Sequence, residues 1–584
     1  MFRITRREWL IAALYALIVL LLTSIPYWLA WSREGADWSF SGFMLGVQDG
    51  ASYLAKLRLG ARGLWEFYLL HTPEPHAGTP LINLPYILPG QIVRLFIAPD
   101  DPRLPFILIG VFHLLRWLCG VLFIVAVYGF VARFLRRPAD RILATVLVTL
   151  GGGLGWLLAV TGNNDWLGSP PVDLFVPEAF PFHMLYGLPH LSLAGAGMLG
   201  GMAMLLGSGE QSRDLMQYPS RLAGSSPGTP SGKAAKRQSR DFMAEDVGAT
   251  RRVAPTGRWW LTTVCWLITG LSVPFYLAVI YVVLAAWGAA SWGIQRRFPL
   301  VLLRRALVPA LLTLPLFAYY VLAFRGNPAL AQWSAQNLLA SPHPLHYLLA
   351  FLLLLIPAAW GARRAWGRAR LEFRQALLLA WPLIVPVLVY LPINVQRRLA
   401  TLVIVPLAIL TVMGLRWMIH QRPRLRFARP LLLTATLATS AFLIFTGVLG
   451  ALNPYVPLYR AAGELRALQW LNAQAPVDTV VLASFETGNV IPAYTNLRPF
   501  VGHGPESLFA LAKTDQTLAF FGGQMEESQR QALYAEFAIR YIFYGPLECK
   551  RAVEAGADPA APAWVGDADL VYDAEGYQIY GLGG

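Results

Sequence analysis

Asp49 and Tyr53 stand four residues apart at the head of the segment Asp49-Gly50-Ala51-Ser52-Tyr53-Leu54-Ala55-Lys56-Leu57-Arg58. On a helix that begins near Asp49 they share one face. A carboxylate so placed either caps the helix or takes a proton from an attacking nucleophile. Arg397-Arg398, in the short stretch Leu391 to Leu399, is a second feature with chemical content. A guanidinium presents a planar fork of donors that fits a phosphate, in a substrate or in a lipid headgroup. Glu178, His190 and Trp333 are candidates for the wall of a substrate site. The first two are costly near a membrane boundary unless solvated, paired or used. Trp333 either stacks on a sugar ring or anchors the chain at the interface. Gly502-His503-Gly504-Pro505-Glu506 reads as a tight, exposed turn with a structural histidine. The chain carries no GxSxG, HExxH, P-loop or dinucleotide fingerprint, which disfavours hydrolase, zinc-protease and NTPase chemistry. Asp, Glu and His residues could bind a divalent ion but show no diagnostic metal spacing, so no cofactor is expected and a divalent metal has no motif to support it. Cys119, Cys265 and Cys549 imply no disulfide framework.

The elements that must position these groups are membrane helices. Apolar residues make up 56% of the 584 and charged residues 14%, against about 25% charged in a soluble domain. Mean hydropathy is +0.48. Eleven apolar stretches are expected to cross a membrane: 9–31, 106–132, 140–162, 186–207, 259–273, 275–293, 306–324, 345–360, 375–391, 400–418 and 430–451. The first is long enough to span the membrane and has no small-residue cleavage site after it, so it reads as a retained signal anchor. The run 259–293 is too long for one helix, and Pro274 divides it. Of the 48 Lys and Arg, 30 fall in six connecting segments. By the positive-inside rule these six are cytoplasmic. The N-terminus is then cytoplasmic, the C-terminus is external, and loops 32–105, 163–185, 325–344 and 392–399 are external. The pI near 9.8 thus reflects charges at membrane flanks. Their partners are anionic membrane lipids and not nucleic acid.

Segment 208–256, rich in Ser, Gly, Pro and basic residues, is expected to be a disordered cytoplasmic loop. Lys56, Arg58 and Arg62 alternate with leucines, a pattern that suits a basic amphipathic helix in the headgroup region. Residues 452–584 change character. Leu465, Leu468 and Leu471 mark a helix, Thr479–Ser484 a strand, Glu526–Phe537 a helix and Arg540–Tyr544 a strand. A hairpin turns at Gly576. The expected fold is therefore a polytopic α-helical membrane protein of about 11 transmembrane helices (1–451) with an external α/β domain (452–584).

An acidic residue just outside the first membrane helix, Asp49, followed by Tyr53 and a surface-lying helix, resembles the GT-C class of polytopic glycosyltransferases. That class includes protein O-mannosyltransferases, lipid-A aminoarabinose transferases and oligosaccharyltransferases. The stretch Pro80-Leu-Ile-Asn-Leu-Pro85-Tyr86-Ile-Leu-Pro89-Gly90 resembles the Pro/aromatic segment that leads into the second helix of such proteins. The resemblance covers most of the chain as architecture. It departs at Gly50, where the usual second acid is absent. It implies a plasma-membrane enzyme that transfers a sugar from a polyprenyl-phosphate donor to an unidentified external acceptor. Asp49 would be the general base, and Arg397 and Arg398 would hold the leaving phosphate. Tyr53, Glu178, His190 and Trp333 would form the acceptor or substrate wall. A transporter or flippase of lipid-linked glycans is the alternative; its site would lie at the bilayer midplane, often between repeats.

Overall fold

A computed structural model describes residues 4–207 and 259–583; the segment 208–256 lies outside the described residues. All eleven expected spans are helical. Among the described residues nine helical segments are long and apolar enough to cross a membrane. Trp259–Ser272 and Phe373–Leu388 are shorter, with 14 and 16 residues. The chain is a multi-pass membrane protein. The run 259–293 is indeed two helices, Trp259–Ser272 and Phe275–Gln295, with Pro274 as the N-cap of the second.

One expected span is not a single helix. The stretch over 140–162 is Pro138–Leu150 followed by Gly155–Val160. Gly151–Gly153 break it because they press against neighbouring helices. A Cβ on Gly152 would lie 2.4 Å from Thr439, and one on Gly153 would lie 2.3 Å from the Ala350 carbonyl. The backbone N–H groups freed by the break donate to the buried Asp173: Gly153 N to Oδ2 at 2.9 Å and Gly155 N at 3.1 Å. Thr439 Oγ1 donates to the same oxygen at 2.9 Å. Hydrophobic pattern alone cannot register such a break, because glycine is compatible with an apolar run.

The connections sort onto two faces. On one face, Arg141 pairs with Glu8, and Asp140 pairs with Arg416 at 3.3 Å and Arg429 at 3.5 Å. On the other face, Trp38–Phe40 pairs antiparallel with Tyr459–Ala461, which joins the exit of the first membrane helix to the exit of the last. The residues after Leu452 form a five-stranded mixed sheet on this second face. Its order is Arg498–Pro499, Val480–Leu482, Ile539–Tyr544, Tyr577–Gly581, Asp569–Ala574, with the first three parallel. The final hairpin turns through Glu575 and Gly576, both at positive φ, as a two-residue turn requires.

The helix Val47–Ala61 does not lie with its basic side in the headgroup region. Lys56 and Arg58 are buried, and Arg62 makes a two-pronged bond to Asp478 of the C-terminal domain at 3.2 and 3.1 Å. Leu54 and Leu57 share a core with Leu465, Leu468 and Val481. The leucine alternation is real, but a protein domain covers the basic side. A second helix, Leu84–Val93, crosses it so closely that a Cβ on Gly90 would meet the Leu57 carbonyl at 2.0 Å.

Candidate active site

Asp49 sits in the first turn of Val47–Ala61, where the helix N-terminus favours negative charge. It makes no cap: the N-cap is Gly46, at φ +56°, and no side chain bonds the free N–H groups. The carboxylate instead accepts from His503 Nε2 at 3.3 Å. His503 Nδ1 accepts from the Glu506 backbone N–H at 3.3 Å. The ring proton therefore belongs on Nε2, and the donation to Asp49 follows. His503 is buried, not exposed as the flanking glycines suggested. Its loop lies just beyond the edge strand Arg498–Pro499 and is folded tightly: Gly502 N and His503 N both donate to Ser507 Oγ at 3.0 Å. Gly502 is required because its Cα rides on the Gly488 backbone; a Cβ there would sit 2.3 Å from Gly488 C.

One turn further along the helix is a second polar knot. Lys56 Nζ donates to Glu506 Oε1 at 2.6 Å and to Ser52 Oγ at 2.7 Å. Ser52 Oγ donates to the same Glu506 oxygen at 2.9 Å, and His71 Nδ1 lies 3.5 Å from Oε2. Burial alone would push the Glu506 carboxyl up. Lys56, foremost, and the neighbouring His71 outweigh it and hold the pKa well below the ordinary carboxylate range. Asp49 shows the same balance. The surrounding protein opposes its charge, but the His503 hydrogen bond and Lys56 leave its pKa below the ordinary value. The Asp49 side chain is 59% exposed, so it remains reachable.

These groups face one cavity of about 430 Å³ between the helix Val47–Ala61, the His503 loop and the ends of the membrane helices. Asp49, Tyr53, His190, Trp333 and Arg398, all proposed from sequence, line it. Tyr53 stacks on Tyr86 with centroids 4.8 Å apart and a 10° tilt, and the Tyr86 hydroxyl is 2.6 Å from His190 Nδ1. Trp333 is stacked on Phe324 and leans on Phe67. Two other residues proposed from sequence lie elsewhere. Glu178 is buried behind the wall, where its carboxylate is 3.4 Å from Arg398 Nε and burial pushes its pKa up against the pull of Arg398 and Arg397. The Arg397 guanidinium covers the Phe175 ring at 4.4 Å. Sequence reading missed Lys56, His503 and Glu506 as parts of one site. Among the described residues no group of three or more His, Cys, Asp or Glu side chains is arranged to hold a metal ion.

No family model and no curated protein sequence matches the chain. Solved structures do. The apo oligosaccharyltransferase of Archaeoglobus fulgidus superimposes with a TM-score of 0.53 at 13% identity, over 99% of this chain and 74% of that one. The same archaeal protein, AglB, in complex with an inhibitory peptide and a dolichol-phosphate gives 0.50 at 13% identity, over 97% and 74%. ArnT from Cupriavidus metallidurans bound to undecaprenyl phosphate gives 0.47 at 12%, over 99% and 98%. The chain has the fold of the oligosaccharyltransferase, a polytopic helical bundle with a C-terminal domain on one face.

Proposed function

We propose that the chain is a glycosyltransferase that moves a sugar from a polyprenyl-phosphate carrier to an acceptor. The observation that carries this reading is one cavity with a carboxylate, Asp49, on one side and the cations Lys56 and Arg398 on others. Sugar transfer needs both signs of charge. The acceptor heteroatom bonds to the anomeric carbon and gives its proton to Asp49. The bond from that carbon to the phosphate oxygen breaks, and its electron pair leaves with the lipid phosphate, facing Arg398 and Lys56. A single displacement inverts the anomeric carbon.

A second cavity supports a lipid-linked donor. It is an apolar crevice of about 510 Å³ between Phe275–Gln295 and Leu300–Gly326. On the second helix, Leu303, Leu307 and Leu314 line the crevice, and Phe317, Val321 and Phe324 line the polar cavity. Their spacing of three or four residues, with one double step from Leu307 to Leu314, makes one stripe along the helix, a path for a prenyl chain whose phosphate rests at Arg398. AglB, which shares the fold, is known with a dolichol-phosphate bound. A flippase would hold its polar groups at the midplane; here they gather beneath the C-terminal domain. Mass spectrometry of lipids that co-purify with the protein is expected to find a polyprenyl phosphate. Ordinary phospholipid alone would speak against the reading.

The basic clusters support an orientation with the face of Asp140, Arg416 and Arg429 in the cytoplasm and the cavity and C-terminal domain outside. A reporter fused after Ala451 is expected to score as external. A cytoplasmic signal there would invert the assignment and bring the cavity to the cytoplasmic side.

A further inference from the structure

The oligosaccharyltransferase, which shares this fold, has been crystallised with Zn and sulfate. The residues of the present cavity do not fit such an ion. A divalent cation needs several free oxygen or nitrogen ligands. Asp49 is followed by Gly50, so no second acid lies beside it. Glu506 is the other carboxylate in the cavity, and its Oε1 is already engaged by two donors. Oε1 accepts from Lys56 at 2.6 Å and from Ser52 at 2.9 Å, and Oε2 faces His71 Nδ1 at 3.5 Å. Both nitrogens of His503 are used as well, one by the Glu506 N–H and one by Asp49. The place a cation would take beside Glu506 is filled by an ammonium.

That ammonium is built in. Lys56 is 4% exposed, and its Nζ lies over the Tyr53 ring at 5.3 Å and the Phe67 ring at 5.7 Å. An ammonium has three N–H donors. Ser52 and Glu506 take two, and the third has no protein acceptor although Lys56 lines the cavity. Its unused donor, on the cavity side, can serve an anion. We propose that this centre works without a divalent cation, and that Lys56, fixed by Ser52 and Glu506, supplies the positive charge that meets the lipid phosphate. The inference rests on the lipid-phosphate reading above. Lys56 touches the phosphate. Glu506 acts through Lys56 and is a positioning residue.

The test uses the purified full-length protein, farnesyl phosphate as the probe, farnesol as its uncharged control and Mn²⁺ as the reporter metal. Wild-type protein treated with EDTA is expected to keep its preference for farnesyl phosphate over farnesol, and to show no stoichiometric Mn²⁺ site by electron paramagnetic resonance. Lys56→Met is expected to weaken farnesyl phosphate at least about tenfold, the loss of one charge-assisted bond, and added Mn²⁺ should not restore it. Since Lys56→Met leaves Glu506 unpaired, the double variant Lys56→Met/Glu506→Gln is measured beside it and is expected to show the same loss. A stoichiometric Mn²⁺ site in the wild type, or loss of farnesyl phosphate binding on chelation, overturns the inference and leaves the lipid-phosphate reading intact. Wild-type protein that never distinguishes farnesyl phosphate from farnesol overturns both.

Discussion

Asp49→Asn is expected to lower sugar transfer by roughly 10²–10⁴, the usual worth of a general base, while the protein folds and binds its donor. The amide keeps the shape of the carboxylate and the helix position, and it can still accept from His503 Nε2, now 3.3 Å from the carboxylate. What it cannot do is take the acceptor proton. Near-normal turnover of the variant in detergent would remove Asp49 from the chemistry. The pH profile gives a second reading of the same group. A base works deprotonated, and the Asp49 pKa lies below the ordinary carboxylate value. The acid limb of kcat/KM is therefore expected below the usual carboxylate range. His503→Ala removes the hydrogen bond that opposes burial, so the pKa should rise and the acid limb should move to higher pH. An unmoved limb would mean that the dyad does not control the base.

Arg398→Gln is expected to cost about 10²–10³ in transfer, the scale of losing one fixed donor to a developing charge, with a matching loss of discrimination between prenyl phosphate and prenol. Arg397→Gln, one residue away, should stay within about twofold, as ordinary surface changes do. The contrast follows from where the two point: Arg398 lines the cavity, and Arg397 covers Phe175. Arg398→Gln also leaves the buried Glu178 without its partner. The double variant Arg398→Gln/Glu178→Gln separates phosphate binding from that structural loss. Equal effects at Arg397 and Arg398 would return the pair to the role of an interfacial anchor.

The helical bundle was legible because a span is a local property: some 20 apolar residues declare it wherever they occur. The same holds for the terminal hairpin, whose turn residues lie side by side. Asp49, Tyr53, His190, Trp333 and Arg398 could be proposed singly, since each is a polar or aromatic group in a loop between apolar runs or, for His190, near the start of one. What joins them is not local. Lys56 looked like a headgroup contact because a leucine pattern reveals that a basic face exists but not what covers it. His503 looked exposed because its glycines suggest a loose turn, whereas Gly502 is there to let two backbones touch. Glu178 was misplaced by one layer: its charge serves Arg398 from behind the wall. The broken helix at Gly151–Gly153 was hidden because its partner, Asp173, comes twenty residues later.

The bond from His503 to Asp49 joins residues 454 positions apart, and the pairing of Trp38–Phe40 with Tyr459–Ala461 closes the same circuit. A ribosome makes Asp49 long before His503 and Glu506. Until those residues emerge, the nascent chain holds Asp49 and Lys56 without these partners. A premature stop anywhere before residue 503 leaves a membrane protein that inserts but has no assembled centre. Long-range closure of this kind is slow to form, so the cavity takes shape only after the chain has been made through Glu506.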